Sequence, residues 1–207
     1  MPPQPPSSAA DVCLASVSPR RQALLTQIGV RYVVAAADID ETVRGAEHAD
    51  DYVLRMARDK ALAVCARGSL LPVLAADTTV VLDGQICGKP AGEADGVALL
   101  QRLAGRTHQV LTAVALADSS GVRERLSASE VRFRAISRAE CLAYWASGEP
   151  RDKAGGYAIQ GLGAVFIEHL SGSYSGVMGL PLFETAELLA GAGVSYWLDN
   201  ANGGAPP

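Results

Sequence analysis

The 207-residue sequence has no surplus of positive charge. Its 18 Lys and Arg stand against 22 Asp and Glu, a formal net charge of −4. Nucleic-acid-binding surfaces are basic, so no nucleic acid is expected as a partner. A free nucleotide is still admitted, because it needs only a local basic pocket. No apolar run reaches about 18 residues, so neither a spanning helix nor a membrane partner is expected. The opening Met1-Pro-Pro-Gln-Pro-Pro-Ser-Ser lacks the basic start and apolar stretch of a signal peptide. Four cysteines (Cys13, Cys65, Cys87, Cys141) form no C-x-x-C pair, and three fall in apolar segments. They read as reduced structural thiols in a cytoplasmic protein. His48, His108 and His169 are dispersed without a zinc pattern and read as surface or packing residues. No internal repeat or domain linker interrupts the chain.

With 49% hydrophobic and 19% charged residues, the chain is long enough for one substantial core. The expected organisation is a tail at 1–11, a single domain at 12–198 and a second tail at 199–207, both tails disordered. A buried strand at Val12–Ala15 precedes a helix from Ser18 to Ile28, with Pro19 at its first position and Gly29 as its stop. A strand at Tyr32–Ala36, an acidic turn at Asp38–Thr42 and a long helix over Asp50–Arg67 come next. The apolar run Val73–Leu82 reads as a strand covered on both faces. Asp83-Gly84 turns it into a hairpin ending near Gly88-Lys89-Pro90. A helix at 93–104, a hairpin of strands at 109–116 and 122–134, and a helix from Ser137 to Trp145 complete the pattern up to Gly148. A glycine-rich segment (Arg151–Gly163) leads to an expected strand at Ala164–His169. The Gly/Ser-rich Ser171–Gly176 comes next, and a last helix spans 182–190.

Three places in this pattern are chemically odd. Arg20 and Arg21 stand at a helix N-terminus, where the helix dipole favours anions and disfavours cations by ~0.3–1 kcal/mol. Either they are surface residues of an ordinary capped helix, or they join Ser16, Ser18 and the free N–H groups in receiving a polyanion. Lys60 falls at the centre of the apolar face built by Val53, Met56, Ala57, Ala61 and Val64. It either snorkels along the core edge or points into a cleft holding an anion, and the pattern favours the cleft. Asp77 interrupts an apolar strand, where an unpaired carboxylate costs several kcal/mol. It is a buried turn cap or, the preferred reading, a catalytic or metal-binding group at a strand end. Lys89, behind Gly88, is a further candidate cation.

Taken in order, these segments resemble the Maf family of nucleotide pyrophosphatases. The motifs that carry the resemblance are Ala15-Ser-Val-Ser-Pro-Arg-Arg21, the Asp38–Thr42 turn with Glu41, and Ala76-Asp-Thr78. Gly88-Lys-Pro90 with Gly105-Arg-Thr-His108, and Asp152-Lys-Ala-Gly-Gly-Tyr157 through Gln160-Gly161, continue the series. Ser175-Gly-Val-Met-Gly-Leu-Pro181 closes it. The resemblance implies an α/β fold like that of inosine-triphosphate pyrophosphatases, a mixed twisted sheet with flanking helices forming two lobes around a cleft. It implies cytoplasmic, metal-dependent hydrolysis of a nucleoside triphosphate to the monophosphate and pyrophosphate, often by a homodimer. Asp77 takes the role of general base. Glu41 is the second carboxylate, sharing Mg²⁺ or Mn²⁺ with Asp77 and phosphate oxygens. Arg20, Arg21, Lys60 and Lys89 supply the cations, with Ser16 and Ser18 as neutral donors. Arg20 is expected to face the nucleotide, and Arg21, about 100° further round the helix, is the less certain contact.

Thr78, Tyr157 and Gln160 place the sequence nearest the branch of that family acting on dTTP and UTP. A sister branch specific for 7-methyl-GTP has Gln-like and Glu-like residues at positions 78 and 160. A Gln amide at 160 meets the imide N–H and carbonyl of a neutral uracil or thymine with one acceptor and one donor. The second reading within the class is the 7-methyl-GTP enzyme; the third is a nucleotide-sensing regulator of cell division, where binding rather than hydrolysis matters.

Overall fold

The computed structural model describes residues 10–197, so of the expected tails only Ala10 and Asp11 fall among the described residues. Asp11 belongs to the fold. Its N–H donates to the Arg31 carbonyl at 2.9 Å, and its carboxylate accepts from the Arg31 guanidinium.

A seven-stranded mixed sheet organises the molecule. Strand β1 (Val12–Leu14) lies between β2 (Tyr32–Val34) and β3 (Val73–Leu82), parallel to both. Beyond β3 the sheet turns antiparallel through β5 (Thr107–Asp118), β6 (Gly121–Phe133) and β7 (Ile167–Ser171). The short β4 (Gln85–Cys87) folds back on the end of β3 through the Asp83-Gly84 turn. Both turn residues have positive φ (53° and 74°), as a tight hairpin requires.

Strand alternation sorts the core into faces. Val12, Leu14, Leu74, Val114 and Leu116 point to one side and pack on α1 (Pro19–Gln27) and α6 (Leu182–Gly191). Cys13, Ala15, Ala75, Ala113 and Ala115 point to the other and pack on α2 (Ala49–Cys65). That face is built of small side chains, as is the helix stripe of Ala57 and Ala61 set against it. A second lobe gathers at the far ends of β3, β5 and β6. There Val80, Leu82, Val131 and Phe133 pack against α3 (Glu93–Leu103) and α4 (Arg138–Ala146). The start of α4 is fixed by a capping box between Ser137 and Glu140.

One expectation fails after α4. The segment read as a strand from Ala164 is a 3-10 helix over Leu162–Phe166, and β7 starts only at Ile167. The apolar content of Leu162–Phe166 suggested a strand, but the distant Glu149 carboxylate accepts from the Leu162 and Gly163 N–H groups and holds the turn. The Gly/Ser-rich stretch that follows opens a short helix, α5 (Tyr174–Met178), capped by the Ser173 hydroxyl accepting from the Gly176 N–H.

The sheet itself creates the cleft. β1 stops pairing with β3 at Leu74, and β4 takes up that edge only at Val80. The intervening β3 residues therefore border an open gap at the carboxyl end of β1, a favoured binding place in open α/β sheets. Asp77 and Thr78 are consecutive and point to opposite faces, yet both reach the gap.

Candidate active site

The cleft holds about 380 Å³ and takes walls from both lobes: Ser16 to Arg21 on one side, Lys89 and Asp152 to Gln160 on the other. That size suits a small-molecule ligand.

At its floor Lys60 settles the choice between edge and cleft. The residue is only 8% exposed, and its ammonium donates to Asp77 Oδ1 at 2.7 Å and lies 2.6 Å from Glu41 Oε1. Helix α2 and the β3 gap bring lysine and aspartate together because both belong to the α2 face of the sheet. An isolated buried Asp or Lys would be costly, and the pair offsets that cost. Glu41 comes from the loop between β2 and α2. Burial pushes its carboxyl up, but the Lys60 hydrogen bond and charge, with Lys89 and Arg21, outweigh this and hold it below the usual carboxylate range. Lys89 stands at the mouth, largely exposed, 3.8 Å from Glu41 Oε2.

Asp77 and Glu41 each give one oxygen to Lys60, and both residues line the cleft. Two carboxylates so placed fit a hard divalent cation that completes its shell with water and phosphate. Among the described residues no group of three or more His, Cys, Asp or Glu is placed to hold a metal. A cation here would therefore depend on its phosphate ligand.

The opposite wall is the start of α1. Ser18 occupies the N-cap but makes no capping hydrogen bond, so its hydroxyl and the first helical N–H groups remain for a ligand. The two arginines take different places. Arg21 is the anchored one: Nε donates to the Gly179 carbonyl at 2.8 Å, Nη1 to Ser16 Oγ at 3.1 Å and Nη2 to Thr78 Oγ1 at 3.4 Å. A guanidinium has five N–H groups, so two remain for an anion. Arg20 stands at the rim, its side chain 28% exposed and 4.0 Å from Asp152. The turn at Gly179, remote in sequence, supplies the carbonyl that decides this. Helix geometry alone gave no sign of it.

Thr78 lies 3.0 Å from the Thr112 hydroxyl, which also reaches the Gly176 carbonyl at 2.8 Å. Gln160 is exposed at the opposite wall, and its amide makes no hydrogen bond to any described residue. Lys153 braces its own loop, donating to the Glu149 carbonyl and to Asp152, each at 2.7 Å. Tyr157 is buried, its hydroxyl 2.8 Å from His108 Nε2. His108 is a packing histidine, as expected, but its packing partner lines the cleft.

Thr112, Tyr52 and Arg55 are residues the sequence did not single out. The Tyr52 hydroxyl donates to the Glu41 carbonyl at 3.1 Å, and Arg55 donates to the Thr42 carbonyl and bidentately to Glu47. Arg55 lies away from the apolar face of α2, yet its side chain is only 11% exposed. The loop carrying Glu41 covers it.

All ten residues singled out in the sequence (Ser16, Ser18, Arg20, Arg21, Glu41, Lys60, Asp77, Thr78, Lys89 and Gln160) border this one cleft. Comparison with known proteins gives the same grouping a lineage. The family model described as "Maf-like protein" matches residues 11–192. A protein of Methylobacillus flagellatus named "dTTP/UTP pyrophosphatase" is 56% identical over 186 residues, 89% of this chain and 94% of that one. One of the same name from Saccharophagus degradans is 51% identical over 194 residues, 92% of each chain. Among solved structures, the Ham1 protein of Staphylococcus aureus superposes at a TM-score of 0.44 with 17% identity, covering 75% of this chain and 79% of that one. With the family model spanning the fold and the cleft alike, the chain belongs to the Maf family.

Proposed function

We propose that this protein hydrolyses dTTP and UTP to the nucleoside monophosphate and pyrophosphate. The observation that carries the reading is the buried Lys60 bridging Asp77 and Glu41 directly across the cleft from a helix N-terminus with two arginines. One wall suits a polyanion and the floor suits proton abstraction. The relatives' shared name narrows the substrate to pyrimidine triphosphates.

In this mechanism the triphosphate lies against Ser16, Ser18, Arg21 and the α1 N–H groups, with Arg20 and Lys89 closing from the rim. Water in the gap beside β3 gives a proton to the Asp77 carboxylate while its oxygen attacks the α-phosphorus. The bridging oxygen between the α- and β-phosphorus leaves with pyrophosphate. Lys60 fixes the Asp77 rotamer and so aims the free oxygen of the base at the water. Asp77 and Glu41 would hold Mg²⁺ or Mn²⁺, which supplies charge neutralisation at the phosphates when bound. Gln160 reads the pyrimidine, with Tyr157 fixing the backbone that carries it.

No helix among the described residues is long and apolar enough to cross a membrane. The four cysteines are all free, which supports a reducing, cytoplasmic setting. The test is a screen of the purified protein against common and methylated nucleoside triphosphates with Mg²⁺, assaying pyrophosphate and phosphate separately. The reading requires pyrophosphate release strongest with dTTP and UTP. Preference for 7-methyl-GTP, or phosphate as the first product, would overturn it.

A further inference from the structure

The segment that carries Gln160 has no regular secondary structure from Tyr157 to Gly161, yet base reading needs its amide placed to a fraction of an ångström. Two residues outside the cleft wall hold it. The Glu149 carboxylate accepts from the Leu162 N–H through Oε2 at 2.9 Å and from the Gly163 N–H through Oε1 at 3.0 Å. Its Oε1 also accepts from the Tyr144 hydroxyl at 2.6 Å. Tyr144 in turn accepts from the Ala158 N–H at 3.1 Å. The pair therefore grips the chain two residues before Gln160 and two and three residues after it. Between the grips the chain turns tightly, the Gly161 N–H donating to the Ala158 carbonyl at 3.2 Å.

The glycines on this segment fit the same purpose. A Cβ at Gly161 would stand 2.1 Å from Glu149 Oε2, and one at Gly163 would stand 2.6 Å from the Tyr144 hydroxyl. Both positions are bare so that carboxylate and phenol can lie against the backbone. The charge states support the arrangement. Burial pushes the Tyr144 phenol far up, so it remains a donor. Burial also pushes the Glu149 carboxyl up, but the Tyr144 hydroxyl and the two backbone N–H groups outweigh it, leaving the group below the ordinary range as an acceptor.

We propose that Tyr144 and Glu149 are specificity-determining positioning residues: they clamp the turn on which Gln160 reads the base, without touching the nucleotide themselves. This rests on the base-reading role of Gln160. Its consequence is a coupling. Loosening the clamp should blur the choice between uracil and cytosine, which present different donor patterns to an amide. A brace needed only for stability would instead lower activity on every nucleotide alike.

The experiment measures kcat/KM for UTP and CTP, with thermal midpoints, in wild type, Tyr144→Phe, Glu149→Gln, Gln160→Ala and the Tyr144→Phe/Gln160→Ala double variant. Tyr144→Phe keeps the ring and removes only the hydroxyl, so it keeps the test alive if Glu149→Gln folds poorly. The UTP-to-CTP ratio should fall about fivefold or more in both clamp variants, within the range a mispaired buried group produces. In the Gln160→Ala background, Tyr144→Phe should change the ratio no further, the non-additivity expected of residues acting through one another. If Gln160→Ala lowers the ratio and the clamp variants do not, the clamp is overturned while base reading stands. If Gln160→Ala itself leaves the ratio unchanged, base reading fails and the clamp's role in specificity fails with it.

Discussion

At the scale of single residues, the site depends on a buried cation placed between two carboxylates. Lys60 is seated by α2 against a sheet face rich in alanine, and among the described residues Asp77 and Glu41 are its ion-pair partners. Asp77→Asn keeps the volume and a hydrogen-bond acceptor for Lys60, so nucleotide binding should survive. Loss of the base should lower kcat by about 10²–10⁴-fold. Steady-state kinetics beside equilibrium binding of UTP checks this, and normal kcat would remove Asp77 from the proton transfer. The arginines should separate in the same assays. Arg20→Ala removes a rim charge with one distant partner and should raise KM while leaving the thermal midpoint unchanged. Arg21→Ala strips donors from Gly179, Ser16 and Thr78 and should lower both the midpoint and kcat/KM. Identical behaviour of the two variants would contradict the anchored and rim roles. Arg21→Lys should not restore activity, since an ammonium lacks the planar fork that reaches three acceptors in fixed directions.

At the scale of elements, the loop carrying Glu41 has no regular structure and is held onto α2 by Tyr52 and Arg55. Tyr52→Phe removes the bond to the Glu41 carbonyl without changing the packing of the ring. It should reduce kcat several-fold while costing about 1 kcal/mol or less in stability, the ordinary worth of one hydrogen bond. Denaturant melts paired with kinetics test it, and an unchanged kcat would mean that the loop is positioned without this bond. Most elements were legible in the sequence because their signals are local: the apolar stripe of α2, Pro19 at the start of α1, the Asp-Gly turn, the continuous apolar run of β3. Arg20, Arg21, Lys60 and Asp77 were legible because each breaks its local pattern, whereas Glu41, Thr78 and Gln160 stood out only through the family resemblance. What could not be read rests on contacts between distant segments. Arg21 owes its fixed place to Gly179, the covered state of Arg55 to the loop of Glu47, and the hold on Gln160 to Tyr144 and Glu149. None of these partners carries a local sign of its role, so periodicity and spacing pass over them. The 3-10 helix at Leu162–Phe166 escapes the sequence pattern for the same reason. Its conformation is set by Glu149, and its apolar content alone suggested a strand.

At the scale of the whole molecule, the second lobe is built around a neutral histidine. Burial pushes His108 down to about 4, and its Nδ1 is buried with no partner among the described residues. Protonation would put a second donor there with nothing to accept it. Between pH 6.5 and about 4 the unfolded chain binds a proton that the folded chain does not. Stability is therefore intact above pH 6.5 and falls as pH drops through that window, by on the order of 3 kcal/mol once it is crossed. Denaturant unfolding of wild type and His108→Gln across this range should give curves that converge toward low pH. Parallel curves would show that His108 carries no such penalty. The cation, in contrast, is not expected to hold the fold. Chelation should stop turnover reversibly with the thermal midpoint unchanged, and activity persisting in excess EDTA would exclude the shared-metal arrangement. In the proposed mechanism the gap beside β3 directs water at the α-phosphorus. Hydrolysis of dTTP in heavy-oxygen water, with mass spectrometry of both products, reads that directly. The label should appear in the nucleoside monophosphate and be absent from pyrophosphate; label in pyrophosphate would place the attack on the β-phosphorus and contradict the mechanism.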